Sequence, residues 1–96
     1  MGFNTSIRHQ LVVTLGMIGP DAADAVPALT ELLTDDNEAL RIAAVNSLGK
    51  IGPRAKEAVP KLLEVAREDS SENAQSRAVE ALRSIDPAAE AQLNQK

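Results

Sequence analysis

The 96-residue sequence contains no cysteine, tryptophan or tyrosine, and it has one phenylalanine and one histidine. Without cysteine there is no disulfide framework, no thiolate metal site and no cysteine nucleophile. His9 alone cannot form a multi-histidine metal site, and no carboxylate stands close to it in sequence as a catalytic partner. The scarcity of aromatic residues leaves Leu, Ile, Val and Ala to form the core, which favours helices over sheets.

Charge also limits the possible functions. Ten Lys and Arg residues against 14 Asp and Glu residues give a net charge of -4, whereas a surface that binds phosphate backbones needs clustered basic residues in excess. No uninterrupted apolar run approaches the roughly 18 residues of a membrane span, and the N-terminus lacks a secretory signal pattern. We expect a cytoplasmic protein that is not an enzyme, binds no cofactor or metal, and has neither nucleic acid nor a membrane as its partner.

The residues that are present form a repeat of about 33 residues. LGMIGP at 15–20 recurs as LGKIGP at 48–53, and in a weaker form as LRSIDP at 82–87. A period between 20 and 50 residues is typical of solenoids, in which each repeat buries its apolar side against its neighbours. We therefore predict one domain over residues 1–96, with repeats at about 5–35, 36–69 and 70–94.

Glycine and proline mark the predicted helix ends. Because a glycine followed by proline ends a helix, the first helix of each pair is predicted to close at 15–19 and at 48–52. Proline is favoured in the first turn of a helix, so the second helices are predicted to begin near Val26 and Val59. A short helical turn is expected between the two helices of each pair, at 21–25 and 54–58.

The repeated segments resemble a known family. RIAAV at 41–45, LGKIGP at 48–53 and EAVPKLL at 57–63 are similar to HEAT repeats of the type found in phycobilin (PBS) lyases, and the resemblance covers about residues 8–90. It implies an all-α fold, an α-α superhelix of about two and a half to three helical pairs. In this family an aspartate before the first helix and an arginine inside it form a ladder between neighbouring repeats. Asp35 and Arg41 match that spacing, Arg8 takes the arginine place one repeat earlier, and Gln75 replaces it in the third repeat.

A set of residues is predicted to hold the stack together through the core, the helix ends or the ladder. These residues are Asp35, Arg41, Leu48, Ile51, Pro53, Val59, Pro60, Leu62 and Leu82.

The resemblance implies a non-catalytic protein–protein interaction or scaffold module. An accessory subunit of a bilin-lyase-like or chaperone-like assembly is one alternative, and a nucleic-acid-binding HEAT scaffold, disfavoured by the net charge, is another. The second helices of such solenoids line the concave wall. Candidate partner-binding positions on them are Ala28, Glu31, Lys61, Glu64, Arg67 and Glu68.

The first helix carries additional apolar residues. Val13 and Met17 align with the polar Asn46 and Lys50 of the second repeat, so together with Val12 the helix is expected to be apolar on two sides. A terminal repeat of a solenoid needs a polar outer face. We therefore expect Val13 and Met17 to contact another protein chain, which makes a homo-oligomer possible, or further flanking repeats.

Overall fold

A computed structural model of the chain describes residues 5–94. These residues form α-helices and 3₁₀ segments, without a strand among them, so the prediction of an all-α fold is confirmed. The helices are α1 (Thr5–Ile18), α2 (Val26–Leu32), α3 (Glu38–Ile51), α4 (Val59–Glu68), α5 (Glu72–Ile85) and α6 (Pro87–Glu90). The 3₁₀ segments are Gly19–Ala25, Gly52–Ala58 and Ala91–Asn94.

The chain follows the same path in the first two repeats. Each first helix ends one residue before a glycine with positive φ, 77° at Gly19 and 79° at Gly52. A 3₁₀ segment follows, and the second helix then begins at Val26 or at Val59 with proline in its first turn. These are the helix ends predicted from glycine and proline. The 3₁₀ segments begin two residues earlier than expected, at the glycines themselves.

Side chains cap the first helices of the second and third repeats. The Asn37 side chain accepts a hydrogen bond from the amide of Leu40, and the Ser71 hydroxyl accepts one from the amide of Ala74. Such caps satisfy amides that have no partner inside the helix. In the third repeat Asp86 stands where the earlier repeats have glycine. It is extended (φ −158°), and its carboxylate caps the short α6.

The core runs through the stack of first helices, in which α3 lies between α1 and α5. Leu48, Ile51, Leu62 and Leu82, four of the residues predicted to hold the stack, are completely buried. Val59 is partly buried against this core. Pro53 and Pro60 are exposed, and their place in the structure is the first turn of the 3₁₀ segment and of α4.

Neighbouring first helices approach closely at two glycines. A Cβ added to Gly16 would lie 2.7 Å from the Ser47 Oγ, and one added to Gly49 would lie 3.2 Å from the Ala81 Cα. Ser47 is buried and donates its hydroxyl hydrogen bond to the Val12 carbonyl across the helix pair, at 2.7 Å. The absence of a side chain at these glycines therefore lets successive repeats pack backbone against side chain.

The first helical pair passes one test for a membrane segment. By length and composition the helical stretch Ser6–Leu32 is apolar enough to cross a membrane, because an 18-residue window within it has a mean hydropathy of 1.2. Polar residues interrupt this stretch, so it contains no long uninterrupted apolar run. The α-helix is broken at Gly19, however, and α1 by itself is about 21 Å long at 1.5 Å per residue, shorter than the roughly 30 Å hydrocarbon core of a bilayer. Three residues of the stretch, Val12 in α1 and Val26 and Leu29 in α2, belong to the buried core.

Candidate protein-binding cleft

Two ion pairs join the first helix of a repeat to the turn that leads into the next repeat. Arg8 in α1 lies 3.1 Å from the Asp35 carboxylate, and Arg41 in α3 lies 2.9 Å from the Asp69 carboxylate. Arg41 forms two hydrogen bonds with that carboxylate and donates two more to the carbonyls of Asp35 and Asp36. One arginine thereby fixes the turn before its own helix and the turn before the next one. In the third repeat Gln75 takes the arginine position and donates a long bond, 3.4 Å, to the Arg67 carbonyl.

The ladder aspartates are held in their charged form. The pKa of Asp35 is below its usual value, mainly because its carboxylate accepts a hydrogen bond from the Asn37 amide, with a further contribution from Arg8. Burial alone would raise the pKa of Asp69, but hydrogen bonds from Arg41 and from the Ser71 amide bring it below its usual value. The bond to Asp69 in turn raises the pKa of Arg41. All three groups are therefore ionised at neutral pH.

A cleft of about 430 Å³ lies beside these ion pairs. We call it the α4 cleft, because one side is formed by exposed residues of α4 and the other by the turns that the ladder fixes. Its lining residues are Leu33, Thr34, Asp35, Asp36, Arg41, Lys61, Glu64, Val65, Glu68, Asp69 and Ser70. The cleft is therefore formed by parts of all three repeats.

The α4 cleft is predominantly acidic. Five carboxylates and two cationic side chains line it, and Arg41 is already committed to Asp69 and to two carbonyls. Lys61 is only 3.8 Å from Glu64, at an exposed position, where an ion pair contributes little. Asp36 and Glu68 make no ion pair with any residue that the structure describes. Negative charge is therefore available to a ligand at this rim.

The structure brings only part of the predicted binding wall together. Lys61, Glu64 and Glu68 share the α4 cleft. Ala28, Glu31 and Arg67 are exposed but lie outside the residues that line it. The Arg67 guanidinium donates a hydrogen bond to the Gln92 carbonyl, 3.1 Å away.

On the first helix the structure corrects the predicted apolar face. Val12 is buried in the core, and Val13 is partly buried in a groove between α1 and α3 that it shares with His9 and Ile42. Met17 alone of the three is strongly exposed, at 73%. Val13 is partly covered because α3 packs beside it, whereas Val12 belongs to the common core.

Sequence comparison of the repeats missed several residues of these surfaces. Asp36, Thr34 and Ser70 enter the α4 cleft from turns, and no feature of the repeat pattern singles them out. On α1, the exposed residues Ile7, Leu11 and Ile18 align with apolar residues in the later repeats, so no change of polarity marks them. They could have been found from their position in the first repeat, because the equivalent residues of α3 pack against the preceding first helix.

No group of three or more His, Asp or Glu residues within 5–94 is placed to hold a metal ion. A family model of HEAT repeats matches residues 2–83 of the chain. No curated protein and no solved structure matches it.

Proposed function

Because the chain belongs to the HEAT repeat family, whose members generally serve as non-catalytic protein-interaction scaffolds, we propose that it binds another protein in the α4 cleft. The observation that supports this site is that one concave surface combines turns held by hydrogen bonds with exposed carboxylates. Arg41 and Asp69 hold the turns on one side of the cleft, while Glu64 and Glu68 reach solvent on the other.

A fixed cleft favours binding because little conformational entropy remains to be lost. Hydrogen bonds hold both turns that border it. The Asp35 carboxylate accepts one from the Asn37 amide at 2.9 Å, and the Asp69 carboxylate accepts one from the Ser71 amide at 2.9 Å. Preorganised surfaces of this kind need less ordering of loops on association. The same ladder that stabilises the stack therefore prepares the surface.

The charge of the cleft indicates the chemistry of the partner. Asp36, Glu64 and Glu68 present carboxylates, and the cleft has no aromatic residue to act as a binding hot spot. Complementary charge governs the rate and specificity of association more than its strength. We therefore expect a partner segment that carries Lys or Arg, bound with moderate affinity that falls as salt concentration rises.

Selection from a random peptide library tests the proposal. The expected result is a set of peptides enriched in Lys and Arg whose addition shifts the amide NMR signals of Thr34, Asp36, Glu64 and Glu68. Replacing Glu64 and Glu68 together by Gln should weaken binding of the selected peptides about tenfold or more.

A matched control separates the cleft from general charge. The double variant Glu57→Gln/Glu80→Gln removes the same charge from exposed positions outside the cleft and should retain the affinity. If both double variants lose affinity equally, or if no peptide is selected, the α4 cleft is not the binding site.

We also infer that these repeats are of the PBS-lyase HEAT-like type. The repeated LGMIGP and LGKIGP segments and the ladder between Arg41 and Asp69 support this sub-type. An accessory role in a bilin-lyase-like assembly is the corresponding second function. Absorbance titration with a bilin tests it, and an unchanged spectrum at saturating protein would contradict it.

A further inference from the structure

One face of α1 exposes a row of mainly apolar side chains. Ile7 is 45% exposed, and Leu11 and Ile18 are each 52% exposed. Thr14 is exposed on the same side, because steps of four, three and four residues keep these positions on one side of a helix. We call Ile7, Leu11, Thr14 and Ile18 the α1 stripe.

The same positions form the packing face in the next repeat. Adding 33 to each number of the stripe gives Leu40, Ala44, Ser47 and Ile51 of α3, and all four are buried. Ser47 reaches across to the Val12 carbonyl of α1, so this side of α3 lies against the preceding first helix. The α1 stripe is therefore the first copy of a face that elsewhere in the fold is covered by a helix.

The stripe is complementary to itself. Spacings of four, three and four residues match the seam along which two helices pack side by side. When two copies of α1 are placed antiparallel around a two-fold axis between residues 12 and 13, Ile7 faces the partner's Ile18. Leu11 then faces the partner's Thr14. Each large side chain is met either by another apolar side chain or by a small one.

The polar atoms near the stripe are compatible with burial. The Thr14 hydroxyl donates a hydrogen bond to the Gln10 carbonyl of its own helix, at 2.9 Å, so it loses no partner when it is covered. Arg8 is paired with Asp35, and α1 contains no acidic residue. Two copies of α1 therefore approach each other without repulsion between like charges.

Other occupants fit the stripe less well. One other occupant is the opposite end of a second copy, stacked head to tail. There the position equivalent to Gly16 and Gly49 is taken by Arg83, which pairs with Glu90 at 2.7 Å, so this stacking would bury charge. The position that aligns with Asp35 and Asp69 one repeat earlier is Gly2. A further repeat of the same type would find no carboxylate there for its ladder arginine.

We propose that the α1 stripe pairs with the α1 stripe of a second copy, which gives a two-fold symmetric homodimer. Because each copy contributes only four side chains of one 14-residue helix, we expect the paired surface to fall below the roughly 1,200 Å² of standard stable interfaces. The dimer is therefore weak, with a dissociation constant of roughly 1–100 μM. It leaves the α4 cleft free, so it does not depend on the proposed function.

Sedimentation velocity over a series of protein concentrations tests the proposal. The wild type is expected to change from monomer to dimer as concentration rises, and Leu11→Glu is expected to raise the dissociation constant about 100-fold or more. Met17→Glu adds the same charge to the same helix outside the stripe and should leave the constant within about threefold. Both variants are expected to fold because Leu11 and Met17 are exposed, and circular dichroism checks this.

Cysteine cross-linking tests the antiparallel register, since the chain has no cysteine of its own. A mixture of Leu11→Cys and Thr14→Cys proteins should form the mixed disulfide in preference to either homodimer. A wild type that is monomeric up to millimolar concentration would overturn the proposal, and so would equal effects of the Leu11 and Met17 variants. Dominant self-linking of Leu11→Cys would overturn the antiparallel pairing.

Discussion

Arg41 in the first helix of the second repeat and Asp69 in the turn that leads into the third repeat are joined by two hydrogen bonds, from Nε to Oδ2 at 2.9 Å and from Nη2 to Oδ1 at 3.0 Å. Only 12% of the Arg41 side chain and 6% of the Asp69 side chain are exposed. A guanidinium bound to a carboxylate through two parallel bonds is among the strongest polar contacts in proteins. This pair therefore ties the second repeat to the turn before the third, on one side of the α4 cleft.

Replacing Arg41 by Ala should lower the free energy of unfolding by about 2–4 kcal/mol, because the buried Asp69 loses its partner. Arg41→Lys should recover little, since an ammonium group cannot reproduce the two parallel bonds. Arg8→Ala is the matched control: Arg8 is 38% exposed and makes one bond to Asp35, so its loss should stay below about 1 kcal/mol. Urea denaturation measures all three. Equal losses for the Arg8 and Arg41 variants to Ala would contradict the dominance of the second pair.

The ladder also predicts a dependence of stability on pH. The pKa values of Asp35 and Asp69 are lower in the folded chain than in ordinary carboxyl groups. The unfolded chain therefore binds more protons near pH 4, and stability must fall as pH decreases through and below that value. Urea midpoints between about pH 6 and 2.5 should show this fall, and the double variant Asp35→Asn/Asp69→Asn should show a smaller one. Parallel curves for the two proteins would exclude the ladder as the cause.

Leucines at equivalent positions of the repeats differ in how deeply they are buried. Leu48 is completely buried, whereas Leu15, its equivalent in the first repeat, is only partly buried. Leu48→Ala should therefore cost about 2–5 kcal/mol, and Leu15→Ala clearly less. Thermal and urea unfolding of both variants measure the difference. A loss below about 0.5 kcal/mol for Leu48→Ala would contradict its place in a tightly packed core.

The helix ends could be predicted from the sequence because glycine and proline act locally. Gly52 with its positive φ and the proline after it end α3 through their own backbone geometry. The α4 cleft could not be predicted in the same way. Asp36 and Glu68 are 32 residues apart (36 to 68), and they line the same cleft only once the repeats have packed together, with Arg41 bonded to the Asp36 carbonyl.

The face of α1 illustrates a second limit. Val13 differs in polarity from Asn46 and therefore attracts attention in a comparison of repeats, yet it is partly buried. Leu11 aligns with Ala44, does not change in polarity, and is exposed. Which side of the first helix is uncovered depends on the direction in which the repeats stack, and apolar periodicity does not contain that information.

Gly52 should resist substitution for conformational reasons alone. Its backbone has φ 79° and ψ −146°, a region that is essentially restricted to glycine. A Cβ added there would meet no atom within 4 Å. Gly52→Ala should therefore cost about 1–3 kcal/mol through backbone strain, while Glu57→Ala, at an exposed position of the same 3₁₀ segment, should be nearly neutral. A Gly52→Ala protein as stable as the wild type would show that another residue can adopt this turn.

Gly16 should resist substitution for the opposite reason, because its backbone is helical and its surroundings are full. Alanine is favoured over glycine in a helix by about 1 kcal/mol, so local propensity predicts that Gly16→Ala stabilises α1. The added Cβ would lie 2.7 Å from the Ser47 Oγ and 3.0 Å from the Ser47 Cα, and overpacking of this kind costs about 1–3 kcal/mol. We expect a net loss of stability, and a smaller loss for Gly49→Ala, whose nearest neighbours on Ala81 are 3.2 Å away.

The double variant Gly16→Ala/Ser47→Ala removes the hydroxyl but leaves the Ser47 backbone in place, so it should not recover wild-type stability. Full recovery in urea denaturation would mean that the hydroxyl alone, and not the approach of the two helix backbones, requires glycine at this position.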